Sequence, residues 1–344
     1  MKVSTISSLV IVPTSFSLIL LIPSLIAFLI LAVLSGFSDF AAASEIDYSA
    51  NLFDSLHYRS AAGSFYTSVN AATRLYEHEV QSQDGISTSD DDRSSWTSAV
   101  TFNYGISDLF QIGISETYLF GLSTRHTNDQ NGNVTNSRAA GFSNPTFTFN
   151  YRYWGTLSGT NFANLYVNFS PTLGSHQDAT ATTTGNNLDG ASAVTMGTNI
   201  YGVQGAHEWA IEPQITYTSN GTNIDSAKET NTNSVDPRWS YNLAGVYRYH
   251  FHEKLYLTAT ATLNGPTTQN STYFNRNPVT STSTTTNPYV SAAVAIGFVM
   301  SPSALLSLQY SINNRSQNIN PSAATASSTS IQQQLMTVTA AFSY

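Results

Sequence analysis

Arg152, Glu212 and Arg248 are the residues with the most to offer chemically in a stretch that is otherwise poor in charge. A carboxylate and two guanidinium groups at similar depth in a narrow polar passage would select solutes by charge and hydrogen bonding. The bland alternative is a structural ion pair that satisfies buried charge. Covalent catalysis finds fewer candidates. No His-x-Ser, no HExxH, no Gly-rich phosphate loop and no cysteine occurs, so neither a lipase-like nucleophile nor a thiolate or zincin metal site can be built. Asp90, Asp91 and Asp92 with His78 are the closest approach to the clustered acids and histidine of a rim protease. His207, His250 and His252 are expected at turns, and His126 and His176 in loops. No catalytic residue, cofactor or metal ligand is assigned.

Those three charges must be held by strands. Phe102 to Ser115 read FNYGISDLFQIGIS, with Phe102, Tyr104, Phe110, Ile112 and Ile114 on one face and polar residues on the other, on either side of a tight turn. The pattern recurs at 63–77, 95–105, 109–120, 145–154, 162–173, 191–202, 208–219, 238–250, 254–264, 288–299, 304–314 and 333–344. Connections alternate between short ones (GISD, VQGAHE, FHEK, MSPS) and long ones at 78–94, 121–144, 174–190, 220–237, 265–287 and 315–332. The expected fold is therefore all-β: a transmembrane antiparallel up-and-down β-barrel of about 12 strands, with short periplasmic turns and long extracellular loops.

Composition agrees. Asp, Glu, Lys and Arg make up 10% of the 344 residues, against about 25% in soluble domains. The net charge of −8 argues against nucleic acid as a partner. Lys2, the apolar run from Leu18 to Leu34 and Ala41, Ala42 and Ala43 read as a cleaved export signal over 1–43. Residues 44–62 are expected to be a periplasmic leader or small plug, and 63–344 the barrel. The implied location is a bacterial outer membrane reached through the periplasm. Its partners there are outer-membrane lipid, lipopolysaccharide and the barrel assembly machinery, with the barrel itself a monomer.

Side-chain placement supplies further expectations. Trp96, Tyr104, Trp209, Tyr217, Trp239 and Tyr249 fall at strand ends on the lipid parity, as two aromatic girdles require. Arg152, Glu208, Glu212, Arg238 and Arg248 fall on the opposite, lumen parity, whereas Glu116 shares the parity of Ile112 and Ile114. Glu77, Glu79, Asp84, Asp90, Asp91 and Asp92 are expected as solvated charge in one outer loop. The final segment, QQQLMTVTAAFSY, resembles the C-terminal assembly signal of such barrels, carried by Phe342 and Tyr344.

YGISDLFQIG (104–113), GFSNP (141–145), PTLG (171–174) and YRYHFHEKLYLTA (247–259) resemble recurring segments of the outer-membrane proteins grouped under the meta-pathway of phenol degradation. Ser143 and Asn144 depart from the Gly and Asp of that pattern. The resemblance implies a transporter for hydrophobic or aromatic compounds. Passive passage of small solutes is the expected function. An adhesive or structural barrel, and a barrel enzyme acting on lipid or peptide, are the alternative classes.

Overall fold

Each alternating segment forms a strand, because a two-residue period lets one face meet lipid while the other meets the lumen. The computed structural model describes residues 56, 58–84, 86–155, 160–180, 182–225, 231–274, 279–322 and 325–344. The expected export signal over 1–43 lies outside the described residues. The strands are β1 (Phe65–Gln83), β2 (Ile86–Ser107), β3 (Phe110–Asn128), β4 (Val134–Phe142), β5 (Thr146–Trp154), β6 (Asn161–Ser170), β7 (His176–Asp178), β8 (Thr184–Gly185), β9 (Ala193–Gln204), β10 (His207–Thr218), β11 (Gly221–Asp225), β12 (Asn231–Val235), β13 (Arg238–His252), β14 (Leu255–Asn264), β15 (Thr267–Tyr273), β16 (Thr280–Thr286), β17 (Tyr289–Ser301), β18 (Ala304–Pro321) and β19 (Ser327–Ser343).

Twelve of them, β1, β2, β3, β5, β6, β9, β10, β13, β14, β17, β18 and β19, pair antiparallel in that order around a closed wall. Closure joins β1 to β19 from Tyr66↔Ser343 to Ser82↔Ser328. Two further bonds, Tyr344 N to Phe65 O at 2.9 Å and Phe65 N to Tyr344 O at 3.0 Å, finish the seam. No edge of the wall is left to lipid, where unpaired backbone groups would be costly.

Strand β13 shows how the faces divide. Trp239, Tyr241, Leu243, Gly245 and Tyr247 point outward, and Arg238, Ser240, Asn242, Ala244, Val246 and Arg248 inward. At the outer end Tyr217 and Trp239 rings lie 4.9 Å apart, and at the periplasmic end His207 and Tyr249 rings do the same. Phe65 and Tyr104 make a like contact at 4.8 Å. Inside, the ring of Tyr256 covers Gly297, where a Cβ would collide with it, so the missing side chain makes room for a cross-strand aromatic. Glu116 stays on the outer face, opposite Val100.

The described parts of the long connections carry further strands, which the sequence pattern does not announce. β1, β2, β3, β18 and β19 run well beyond the girdle residues, and hairpins β11/β12 and β15/β16 rise beside them. Neighbouring pairs β4–β8, β7–β11, β12–β15 and β16–β18 join these pieces. Asn186 N bonds to Gln177 O and ties β8 back to β7. The result is a closed collar above the membrane wall. Its strands are rich in Thr and Ser, so they carry β-propensity without apolar alternation.

Between β4 and β5 the ladder breaks at Ser143, Asn144 and Pro145, the last lacking a backbone donor. The buried Asn144 side chain bridges the break, donating to Ala191 O at 3.2 Å and accepting from Leu173 N at 3.3 Å. The segments GFSNP and PTLG, distant in sequence, thus meet in one seam.

Candidate functional site

At the periplasmic mouth the chain before β1 enters the barrel. Leu56 N donates to Glu208 Oε2 at 2.7 Å on β10, Tyr58 Oη lies 2.5 Å from Ser343 Oγ on β19, and Ala62 N donates to Asp108 Oδ1 at 3.4 Å in the β2–β3 turn. These anchors lie on different sides of the wall, so the segment crosses the mouth. Gly63 N bonds to Gly105 O at 2.8 Å and Gly105 N to Ser64 O at 3.1 Å. A Cβ on Gly105 would run into the carbonyl oxygens of Ser60 and Ala61. That glycine is what lets the segment lie so close.

Arg59 is the deepest anchor. Its Nη2 donates to Leu109 O and Asn150 O, both at 3.0 Å, and its Nη1 to Asn150 Oδ1 at 3.3 Å and Asn164 Oδ1 at 3.2 Å. Arg152 Nε donates to the same Asn164 oxygen at 3.1 Å, and its guanidinium stacks 4.8 Å over the Phe162 ring. One amide oxygen thus holds two arginines. Across the mouth, His250 Nε2 lies 2.5 Å from Glu208 Oε1, with both side chains 1% exposed or less. Leu56 completes this floor by packing on Phe162, Tyr201, Val203 and Ala210.

The three charges singled out from sequence are on the inner face but do not form the expected set. Arg152 joins Arg59. Arg248 lies opposite Glu208 in the β10–β13 ladder, donates from Nε to Thr258 Oγ1 at 2.9 Å and stacks 4.2 Å over Tyr256. Glu212 lies opposite Ala244, four residues from Glu208, or roughly 13 Å along the strand. A Glu212–Arg248 pair was expected because both sit about four residues from a turn; the register instead sets Arg248 against Glu208. His250, expected at a turn, is buried inside the barrel, and Arg59, which the sequence places in the possible plug segment, meets Arg152 at a shared asparagine. Arg59 is the only Lys or Arg in residues 44–62, and Glu208 and His250 share lumen parity near their turns. Those were the signals available.

A second polar chamber, of about 550 Å³, sits inside the collar. Three of the six acidic residues expected as solvated loop charge are tied into an ion cluster on its wall: Arg93 bridges Glu77 at 2.9 Å, Glu79 at 2.6 Å and Asp91 at 3.1 Å, while Arg74 meets Glu77 at 3.0 Å; Asp84 stays exposed in the turn and the Asp92 side chain is 57% exposed. Extension of β1 and β2 turned that loop into paired strands, with Glu77, Glu79 and Asp91 facing in. His126 bonds to Asp91 at 2.6 Å, and His78 to Asp92 at 2.9 Å. Among the described residues no three His, Asp or Glu side chains are grouped to hold a metal ion.

His176, on β7 in the same chamber, places Nε2 3.1 Å from Asp178 and Nδ1 2.6 Å from Leu188 O. A carbonyl and a carboxylate both accept, so the arrangement favours the protonated ring. The Asp178 bond pushes the His176 pKa up, against the burial that lowers it. A raised histidine adds stability that is fully present below its unfolded value of about 6.5 and is lost as pH rises through the folded value. Hydrogen exchange over 172–190 should therefore be slower at pH 6 than at pH 8 after correction for intrinsic rates. His176→Gln should erase that difference; an unchanged pH dependence in the variant would refute the assignment.

No known family's sequence profile matches the chain, and no curated protein matches it. Solved structures do. The COG4313 outer membrane channel from Pseudomonas putida F1 superposes with a TM-score of 0.52 at 11% identity, over 82% of this chain and 96% of that one. This likeness fixes the fold as that of an outer-membrane β-barrel. A TodX monoaromatic hydrocarbon channel mutant (TM-score 0.41, 8% identity, 81% and 90% coverage) and the outer membrane protease OmpT from Escherichia coli (0.36, 11%, 81% and 97%) superpose too loosely to bear on it.

Proposed function

We propose that this outer-membrane barrel is a gated conduit for small organic solutes with an apolar body. One observation carries the reading: what crosses the periplasmic mouth is a segment of chain outside the strands, tied to the wall by hydrogen bonds from Leu56, Arg59 and Ala62 to Glu208, Leu109 and Asp108. A purely structural barrel of this size has no need of a separate stopper, since wall side chains can fill a narrow lumen. The resemblance to the phenol meta-pathway proteins supports hydrophobic or aromatic compounds as the cargo class. Leu56 and residues 58–62 are, on this reading, part of a plug and not merely of a leader.

Expression in a porin-deficient Gram-negative host should raise the initial uptake rate of radiolabelled toluene severalfold while leaving sucrose uptake unchanged. Unaltered toluene uptake by cells carrying folded, heat-modifiable barrel would sink the conduit reading and favour an adhesive or structural role.

A further inference from the structure

We propose that the outer face of the wall over β2, β3 and β4 holds the phosphorylated head of lipid A, the lipopolysaccharide anchor of the outer leaflet. Direction singles this face out. Arg93, Arg152, Arg238 and Arg248 turn inward. Arg125 on β3 and Arg138 on β4 do not. Thr124 and His126 line the chamber inside the collar, as do Ser137 and Ala139, so strand alternation sends the arginine between each pair outward. Both arginines are exposed.

Register makes them one site. Ser123 lies opposite Arg138 and Arg125 opposite Asn136, so the two arginines are diagonal neighbours with Cβ atoms roughly 7–8 Å apart. Two guanidinium groups at that spacing can close on one phosphate, each donating a forked pair of N–H groups. Two acids share this face on β2. Asp92, opposite Arg125, is bonded to His78 at 2.9 Å, and Asp90 stands two residues higher, opposite Thr127.

What lies beneath the arginines decides the partner. Trp96, Phe120 and Phe142, on three adjacent strands, are 64%, 63% and 61% exposed. Tyr118 joins two of them, its ring 5.0 Å from that of Phe120 and 4.8 Å from that of Phe142. A contiguous outward aromatic patch at a strand end suits acyl chains just below the membrane surface. Arg138 stands four residues above Phe142, roughly 13 Å along the strand. Its long stem can lie along the wall and lower the charge toward a headgroup. A free phosphate would use the arginines alone, whereas a phosphorylated glycolipid uses both halves of the surface.

The probes are lipid A and its fully dephosphorylated form with the same acyl chains. Each is titrated calorimetrically into the full protein, refolded in detergent from lipopolysaccharide-free material. The phosphorylated form should bind about tenfold tighter. Arg125→Gln combined with Arg138→Gln should bring the two within about twofold, whereas Lys254→Gln, in a periplasmic turn, should leave the preference intact. Heat-modifiable migration checks that each variant has folded. Equal binding of both lipids to the unmodified protein would overturn the proposal without reliance on any variant. A preference that survives the double substitution, or that falls as far with Lys254→Gln, would overturn it too. Inorganic phosphate binding as tightly as lipid A would assign the arginines to a soluble anion and defeat the lipid.

Discussion

Arg59→Ala is expected to open the barrel. In planar bilayers the unmodified protein should show rare steps, and the variant an open probability about a hundredfold higher. The loss removes four charge-assisted hydrogen bonds to Leu109, Asn150 and Asn164. Such bonds are worth about 1.5–3 kcal/mol each when measured singly, but they are not additive, and removing Arg59 also relieves repulsion from Arg152. A net change of about 3 kcal/mol in favour of the unseated segment is a factor of roughly a hundred. Gly105→Val tests the same seat without touching a charge, because its side chain would occupy space taken by the Ser60 and Ala61 carbonyls. If both variants keep the unmodified open probability, the segment is not the gate.

Glu208→Leu should destabilise the folded barrel by about 2–3 kcal/mol, the usual cost of leaving buried polar groups without their hydrogen-bond partner. His250 would lose its carboxylate and Leu56 N its acceptor in one step. His250→Leu should cost a similar amount, and the double variant clearly less than the two together, because with both side chains apolar neither leaves the other without its partner. Urea unfolding in detergent, followed by tryptophan fluorescence, reads all three. Additive losses, or a Glu208→Leu barrel within about 1 kcal/mol of the parent, would show that the 2.5 Å contact is not an energetic pair.

The rank of these two effects follows from burial. Glu208 and His250 are almost completely removed from solvent, so nothing outside the protein can replace a lost partner. Arg59 is buried nearly as deeply, but it belongs to the segment proposed as the plug, so its loss is expected in gating before it shows in unfolding.

What the amino-acid sequence determined by itself was everything that follows from a two-residue period against lipid. A strand such as β13 has to send Trp239, Tyr241 and Leu243 one way and Arg238, Ser240 and Asn242 the other. A one-residue slip would put arginine in the acyl chains. Strand number, turn placement and the outward aromatics were legible for that reason, as was the seam at Tyr344. Where no face has to meet lipid the constraint vanishes, and with it the signal: β4, β7, β8, β11, β12, β15 and β16 of the collar read in sequence only as polar loop.

Tertiary structure alone decided which inward residues meet. Parity told that Glu208, Glu212 and Arg248 share the lumen, but the β10–β13 register set Arg248 against Glu208 and left Glu212 farther along. The junction of Arg59 with Asn150 and Asn164 joins residues separated by 91 and 105 positions, through a segment with no period of its own. Local pattern encodes which side of a wall a residue faces. The partner it finds across an enclosed lumen depends on barrel closure, a property of all twelve strands at once.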